Sequence, residues 1–309
     1  MSKLPDLKVV PSQPCDVDFA WYEEIRAGLL RQTVKHAGRV LDVGCGRGDV
    51  LFMLSGQIGE GIGVDICQDD LDRAESERQR LKLANVRFQY GDATALPFSS
   101  DSFDAVLLLG DVLAYIPTFG KHETVASELK RVLKAGGIAV HDSMNWEWEY
   151  RWPYPPSDIS FRRSNTNNFS MHRTRRDVSG LERARDYEVL PGTPLYQWIL
   201  EQEWPVSPQG FDIHLDVREV TPIPKEWLKF NSVSQYMHYR PRDLARLYKR
   251  AGFPHPEVFT YGQTYDIAAK AGLLKQVVEF QSELAAAEAE VAFTLRLGSG
   301  SWLFQIAEK

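Results

Sequence analysis

The chain has 309 residues, 43% hydrophobic, 25% charged and 11% aromatic, a composition that fits a folded globular protein and excludes disordered, collagenous and disulfide-stapled classes. Its formal net charge of −6 repels phosphate backbones and anionic lipid, which disfavours nucleic acid and membrane as partners. Cys15, Cys45 and Cys67 are odd in number and lack metal-ligand spacing. No apolar run reaches bilayer-spanning length and the amino terminus lacks a secretory pattern, so a cytoplasmic protein is expected.

In chain order, residues 1–17, with Pro5, Pro11 and Pro14, read as an extended lead-in rather than a folded element. Asp18 is placed to cap a helix whose apolar positions Tyr22, Ile25, Leu29, Leu30 and Val34 recur at helical spacing, with Gly38 at its end. From Arg39 short apolar runs alternate with helical stretches. Strands are predicted at 39–43, 61–66, 86–90, 104–109 and 137–142, and helices near 48–55, 69–83 and 121–134, the signature of βαβ units on a parallel sheet. A core at 18–144 then gives way to 145–239, which carries aromatic and polar stretches and period-2 runs. That segment is expected to be an insertion of antiparallel strands and loops. Residues 240–309 return to the core: Pro241 fits a first helical turn, Leu244, Leu247, Tyr248 and Ala251 form a face, and Gly252 stops it. A strand at 257–261, one amphipathic helix over 266–293 and a last strand at 301–307 complete the reading. The apolar side of that long helix is drawn from Leu274, Val277, Val278, Leu284, Ala285 and Val291.

The run Arg39-Val-Leu-Asp-Val-Gly-Cys-Gly-Arg-Gly-Asp49 sets a buried strand before Gly44, Gly46 and Gly48 and a helix after them. Glycines at such a turn let a ligand approach the backbone. The spacing departs from the dinucleotide fingerprint, and Asp42 at the strand end would repel phosphate, so a nucleoside-type ligand without a pyrophosphate is implied. Asp65, ending the second strand, is placed to accept from ribose hydroxyls. Asp92 could accept from an adenine amino group, with Ile66 and Ala93 flanking the ring, while Leu109, Gly110 and Asp111 end the fourth strand beside the site.

LDVGCGRG, GVDI, YGDA, FDAVLLLGD and LKAGG, in this order, resemble the successive motifs of class I S-adenosylmethionine-dependent methyltransferases over Arg39 to about Met144. The resemblance implies an α/β, Rossmann-like fold: a seven-stranded mixed sheet with helices on both faces, the last strand antiparallel, plus an inserted substrate-binding subdomain. It implies S-adenosyl-L-methionine as cofactor and S-adenosyl-L-homocysteine as product, held by Asp42, Gly44, Cys45, Gly46, Asp65, Ile66, Asp92, Ala93, Leu109 and Gly110. WYEEIRAGLLRQ, FDAVLLLGDVLAYIP and HDSMNWEWEY resemble the small-molecule N-methyltransferases of the glycine and sarcosine type.

Methyl transfer from a sulfonium is an in-line displacement, so positioning matters most, and a group must take any proton the acceptor loses. Asp111, His141 and Asn145 are the candidate catalytic residues. Tyr22, Tyr115, Trp146 and Glu147 are the candidate substrate contacts, the aromatic ones suited to a cationic amine. His141 and Asp142 are adjacent on a strand and should point to opposite faces. Asp142 is followed by Ser143 rather than a second oxygen ligand, so no metal is expected. A small-molecule partner is expected, an amine nitrogen first and a hydroxyl oxygen or activated carbon next. RNA or protein methylation and cofactor binding without transfer are the other readings. A homodimer through the insertion or the 266–293 helix is also envisaged.

Overall fold

The structure is a computed structural model, and it describes residues 6–9, 19–116, 119–145, 159–163, 168–176, 181–202, 213–219, 222–270, 273, 280–295 and 302–309. In chain order the elements are β1 (Leu7–Val9), α1 (Phe19–Thr33), β2 (Arg39–Val43), α2 (Asp49–Leu54), β3 (Glu60–Asp65), α3 (Gln68–Leu81), β4 (Val86–Tyr90) and β5 (Phe103–Leu108). There follow α4 (Phe119–Val132), β6 (Leu133–Met144), β7 (Ile159–Arg163), β8 (Phe169–Arg176), β9 (Leu181–Val189), α5 (Pro194–Leu200) and β10 (Ile213–Glu219). The remainder is β11 (Leu228–Met237), α6 (Pro241–Arg250), β12 (Glu257–Tyr261), α7 (Gln263–Lys270), α8 (Gln281–Leu295) and β13 (Trp302–Glu308).

These elements divide into two compact units, Phe19–Tyr150 with His238–Lys309, and Met1–Asp18 with Arg151–Met237. In the larger unit seven strands run in the order β12-β13-β6-β5-β2-β3-β4. Pairs β2/β3, β2/β5, β3/β4 and β5/β6 are parallel, and β13 is antiparallel to both its neighbours. Val40, Leu41, Val43, Ile62, Val64 and Ala105 to Leu108 are buried, the near-continuous apolar pattern of strands covered on both faces. Adjacent residues of β6 show that covering directly. His141 bonds Tyr248 of α6 while Asp142 pairs with Arg26 of α1, and neighbours on a strand point to opposite faces.

In the smaller unit six antiparallel strands run β1-β10-β7-β8-β9-β11. Phe161, Phe169, Met171, Leu215 and Val217 pack there with Leu195 and Ile199 of α5. Residues 1–17 were expected to be an unfolded lead-in, yet Leu7, Lys8 and Val9 pair with Glu219, Arg218 and Val217. Three residues carry too little pattern to announce a strand, and their partner lies at the far end of the insertion.

The single helix expected over 266–293 is also corrected. Leu273 is not helical, and its N–H bonds the Ala268 carbonyl at 2.8 Å, a closure that ends α7. Gly272 beside it costs a helix interior about 1 kcal/mol. The buried side of α8 is Ala285, Glu288, Ala289 and Ala292, while Val291 is exposed; Leu274, Val277 and Val278 lie outside the described residues. Small residues serve here because a Cβ on Gly28 of α1 would stand 2.7 Å from the Ala289 Cβ. The first helix stops at Thr33 rather than near Gly38, with His36 at φ 69° in the intervening turn.

Glu288 fastens this corner. Its Oε1 accepts from the Gln263 N–H at 2.6 Å and its Oε2 from the Thr264 N–H at 2.9 Å and the Thr264 hydroxyl. A carboxylate from α8 thereby caps the first turn of α7, where unpaired donors and the helix dipole favour negative charge. Glu288→Ala should lower unfolding stability by about 2–3 kcal/mol, with Glu288→Gln recovering part of it; chemical denaturation measures both. Equal stability of Glu288→Ala and wild type would contradict the capping role.

Candidate active site

At the carboxyl end of β2 the chain turns through Gly44, Gly46 and Gly48, with φ of 75°, 50° and 85°. The Gly44 and Cys45 N–H groups both bond the Val64 carbonyl, at 2.8 and 3.0 Å, and tie the turn to β3. A Cβ on Gly44 would stand 2.5 Å from Val112, whereas one on Gly46 would meet no atom within 4 Å. The first position therefore needs glycine for packing. The second is open on its outer side, where a ligand can reach the backbone. Cys45 is buried, its sulfur lies over Gly63, and burial pushes its thiol pKa up, so it fills space and is no nucleophile.

Asp65, the last residue of β3, accepts from the Gly46 N–H on Oδ2 and the Cys67 N–H on Oδ1, both at 2.9 Å. Each carboxylate oxygen offers two lone pairs, so one on each remains for a pair of hydroxyls. Ile66 beside it is 66% exposed. Asp92 after β4 accepts from the Thr94 N–H and hydroxyl through Oδ1, both at 2.8 Å, and that backbone bond holds its pKa below the usual value. Asp92 is exposed and Ala93 half-buried. The three successive strand ends β2, β3 and β4 thus carry a glycine turn, a carboxylate and a second carboxylate, at the edge where open α/β sheets take their ligands.

Behind the turn lies a buried ionic cluster. Asp142 of β6 is fully buried: Oδ1 accepts from the Gly110 N–H at 2.5 Å, Oδ2 from the Tyr261 hydroxyl at 3.1 Å, and Arg26 stands 3.6 Å from Oδ2. Arg26 also bonds Glu23. Burial raises the pKa of Asp42 to about 7, against the pull of Arg26, and also raises that of Asp142. Arg26, not singled out from sequence, is thus the cation of this carboxylate cluster among the described residues. Its signal was present: it sits four residues after Tyr22 and between Ile25 and Leu29 on the buried side of α1. Tyr22 is buried against Trp302, ring centroids 6.4 Å apart, and Trp302 in turn lies 6.2 Å from Tyr261.

Beyond the ends of β5 and β6 a second polar group gathers. Gly110 and Asp111 both take left-handed backbone angles, φ 70° and 62°. Asp111 Oδ1 accepts from the Met144 N–H at 3.4 Å, and Oδ2 stands 3.8 Å from Nδ1 of His238. Asn145 is buried and bridges to Tyr239. Asp111 and Asn145, both catalytic candidates from the sequence, are therefore held at adjoining strand ends, with Leu109 buried and Tyr115 65% exposed just beyond. His238 joins them unannounced by the sequence. Trp146 and Glu147 lie outside the described residues.

His141 does not belong to this group. It is fully buried on the opposite face, its Nδ1 3.0 Å from the Tyr248 hydroxyl, and burial drives its pKa down to about 3. An imidazole packed against α6 and of lowered proton affinity is a poor base for an acceptor at the strand ends, which argues against His141 as a catalytic residue.

A family model described as a methyltransferase domain matches residues 40–137. The demethylmenaquinone methyltransferase of Oceanobacillus iheyensis is 37% identical over 128 residues, 40% of this chain and 52% of that protein. The 2-phytyl-1,4-naphtoquinone methyltransferase of Synechococcus elongatus is 42% identical over 119 residues, 37% and 49% of the two chains. The chain spans about half the length of the curated relatives it matches. An S-adenosylmethionine-dependent methyltransferase from Clostridium acetobutylicum aligns over 96% of this chain and 95% of its own, with a TM-score of 0.58 at 13% identity. The CcbJ methyltransferase from Streptomyces caelestis gives 0.56 at 14%, over 93% and 94%. Residues 40–137 thus match a methyltransferase domain, and the seven-stranded order is the fold shared with S-adenosylmethionine-dependent methyltransferases of known structure.

Proposed function

We propose that the protein transfers the methyl group of S-adenosylmethionine to a small-molecule acceptor, at an amine nitrogen. The observation that carries this reading is the row of strand-end groups: an open glycine turn at Gly46, Asp65 bonded to that turn with lone pairs to spare, and Asp92 on the next strand. This set fits the cofactor. Asp65 suits the ribose hydroxyls and Asp92 the adenine amino group, with Ile66 and Ala93 against the ring. Asp42 and Asp142 supply negative charge for the cationic end, and Arg26 the positive charge for its carboxylate. A dinucleotide would instead need an anion site at the turn, which Asp42 opposes.

When bound, the cofactor supplies a methyl group on a positively charged sulfur, a leaving group already activated. The chain's own work is therefore to hold the acceptor in line and to exclude water. Asp111 and Asn145, fixed by the bonds of the β5 and β6 ends, are placed to orient the acceptor, and their carboxylate and amide groups suit an N–H donor. The names of the relatives point instead to a quinone acceptor, which is the second reading the test below separates.

The test is the rate of S-adenosylhomocysteine formation with primary amines and amino sugars against phenols and hydroquinones. Turnover with amines is expected; turnover with hydroquinones alone would overturn the nitrogen assignment. In the productive reaction Asn145→Ala should lower kcat by about 100-fold through misplacement of the acceptor, with cofactor affinity by calorimetry unchanged. Loss of cofactor affinity in that variant would move Asn145 from the acceptor side to the cofactor side.

A further inference from the structure

We propose that His238 is the proton acceptor for the methyl acceptor's N–H, with Asp111 as the carboxylate that holds and charges it. This rests on the methyl-transfer reading of the same site.

His238 immediately follows β11, returning to the seven-stranded unit where Asn145 bridges to Tyr239. That puts its ring at the carboxyl ends of β5 and β6, the side on which an α/β sheet takes its ligands. His238 and Asp111 are both buried, at 7% and 8% exposure, and Asp111 Oδ2 stands 3.8 Å from Nδ1. This is ion-pair range rather than a finished hydrogen bond, as unliganded proton-transfer pairs often are before the site closes. Asp111 is itself fixed: its backbone is left-handed, and its other oxygen receives the Met144 N–H.

A second set of bonds fixes the histidine from the other side. His122 of α4 meets the Ile116 carbonyl through Nε2 at 2.7 Å, so that nitrogen carries its proton. Its Nδ1 then accepts from the Tyr239 hydroxyl at 2.5 Å. Burial keeps His122 neutral by lowering its pKa, which suits a clamp and not a base. The clamp joins the segment that follows Asp111 to the residue that follows His238, so the two halves of the pair are held together by an element outside them. Among the described residues, the titratable and charged groups shown at His238 or its neighbour Tyr239 are Asp111 from the β5 end, His122 through Tyr239, and the Arg250–Glu123 ion pair, both members of which act electrostatically on Tyr239. Among these, Asp111 is the carboxylate paired with the ring.

The chemistry balances. An acceptor ammonium gives one proton to Nε2 of His238: the N–H bond of the acceptor breaks, an N–H bond forms on the ring, and the imidazolium charge is matched by Asp111. The nitrogen lone pair released in this step becomes the nucleophile for the in-line displacement, whose leaving electron pair goes to sulfur. The ring returns its proton to water before the next turnover.

The test uses the S-adenosylhomocysteine-loaded protein and follows its imidazole signals by nuclear magnetic resonance from pH 5 to 9, with His238 assigned by the signal lost in His238→Gln. We expect His238 to titrate within this range and Asp111→Asn to lower its midpoint by about one pH unit, a tenfold loss of proton affinity. Where transfer is measured, His238→Gln should lower kcat by about 100-fold or more and flatten the acid limb of the pH profile, with cofactor affinity intact. A His238 signal that does not titrate, a midpoint unmoved by Asp111→Asn, or full transfer by His238→Gln would each overturn the proposal. Failure of S-adenosylhomocysteine to bind would instead overturn the methyl-transfer reading, and the same titration without ligand would still decide the pairing of His238 with Asp111.

Discussion

Asp142→Ala should unfold at a temperature lower than wild type by about 10 °C, a loss of about 3–5 kcal/mol. Three groups converge on this fully buried carboxylate: the Gly110 N–H, the Tyr261 hydroxyl and the Arg26 guanidinium. Removing it takes an acceptor from Gly110 and Tyr261 and the buried carboxylate from Arg26, whose charge is then offset, among the described residues, mainly by the more exposed Glu23 and by Asp42. An orphaned buried charge costs far more than the net worth of the pair it came from. Asp142→Asn is the instructive control. The amide oxygen can still accept from Gly110 or Tyr261, so it should cost less than alanine. The raised pKa of Asp142 gives the sign of its pH dependence: burial favours the protonated carboxyl in the folded protein, so ionisation as pH rises opposes folding, and Arg26 and the two hydrogen bonds work against that penalty. Differential scanning calorimetry on the two variants measures the effect; equal melting temperatures for Asp142→Ala and wild type would contradict the ionic cluster as a structural centre.

Asp65→Ala should weaken cofactor binding by on the order of 100-fold, about 3 kcal/mol, for two separable reasons. The carboxylate accepts the Gly46 N–H and so fixes the turn proposed to meet the cofactor. Its remaining lone pairs are the proposed partners of the ribose hydroxyls, which would be buried unpaired without it. Asp65→Asn separates the two. It retains an acceptor for the Gly46 N–H but loses one of the two hydroxyl acceptors, so its affinity should fall between wild type and alanine. Titration calorimetry with S-adenosylhomocysteine reads both variants, and unchanged affinity in Asp65→Ala would refute the assignment.

The strands of the large sheet were legible in the sequence because short apolar-rich runs alternate with periodic helical stretches. Arg39–Val43, Val86–Tyr90 and Glu257–Tyr261 fall where those runs predict. The alternation in 211–220 announced β10 in the same way. What stayed hidden depends on distant partners. Leu7–Val9 becomes a strand through pairing with Val217 to Glu219, which nothing local specifies. Periodicity alone joined α7 and α8 into one helix, since it registers apolar spacing and not the non-helical backbone at Leu273.

The site divides along the same line. Gly44, Asp65 and Asp92 sit next to their own strands, so their positions follow from local pattern. Asp111 with His238, and Asp142 with Arg26 and Tyr261, are assembled from segments far apart in the chain, and only the fold brings them together. His141 shows the reverse error. Its chemistry made it a catalytic candidate, while the two-residue period of its strand turned it toward Tyr248 and away from the site.

Methyl transfer to a small molecule is read out by incubation with methyl-labelled S-adenosylmethionine, using a low-molecular-weight extract and, separately, total RNA and total protein, with labelled species identified by mass spectrometry. Label in a small amine is expected; label confined to RNA or protein, or cofactor binding with no label in any fraction, would refute the proposed function.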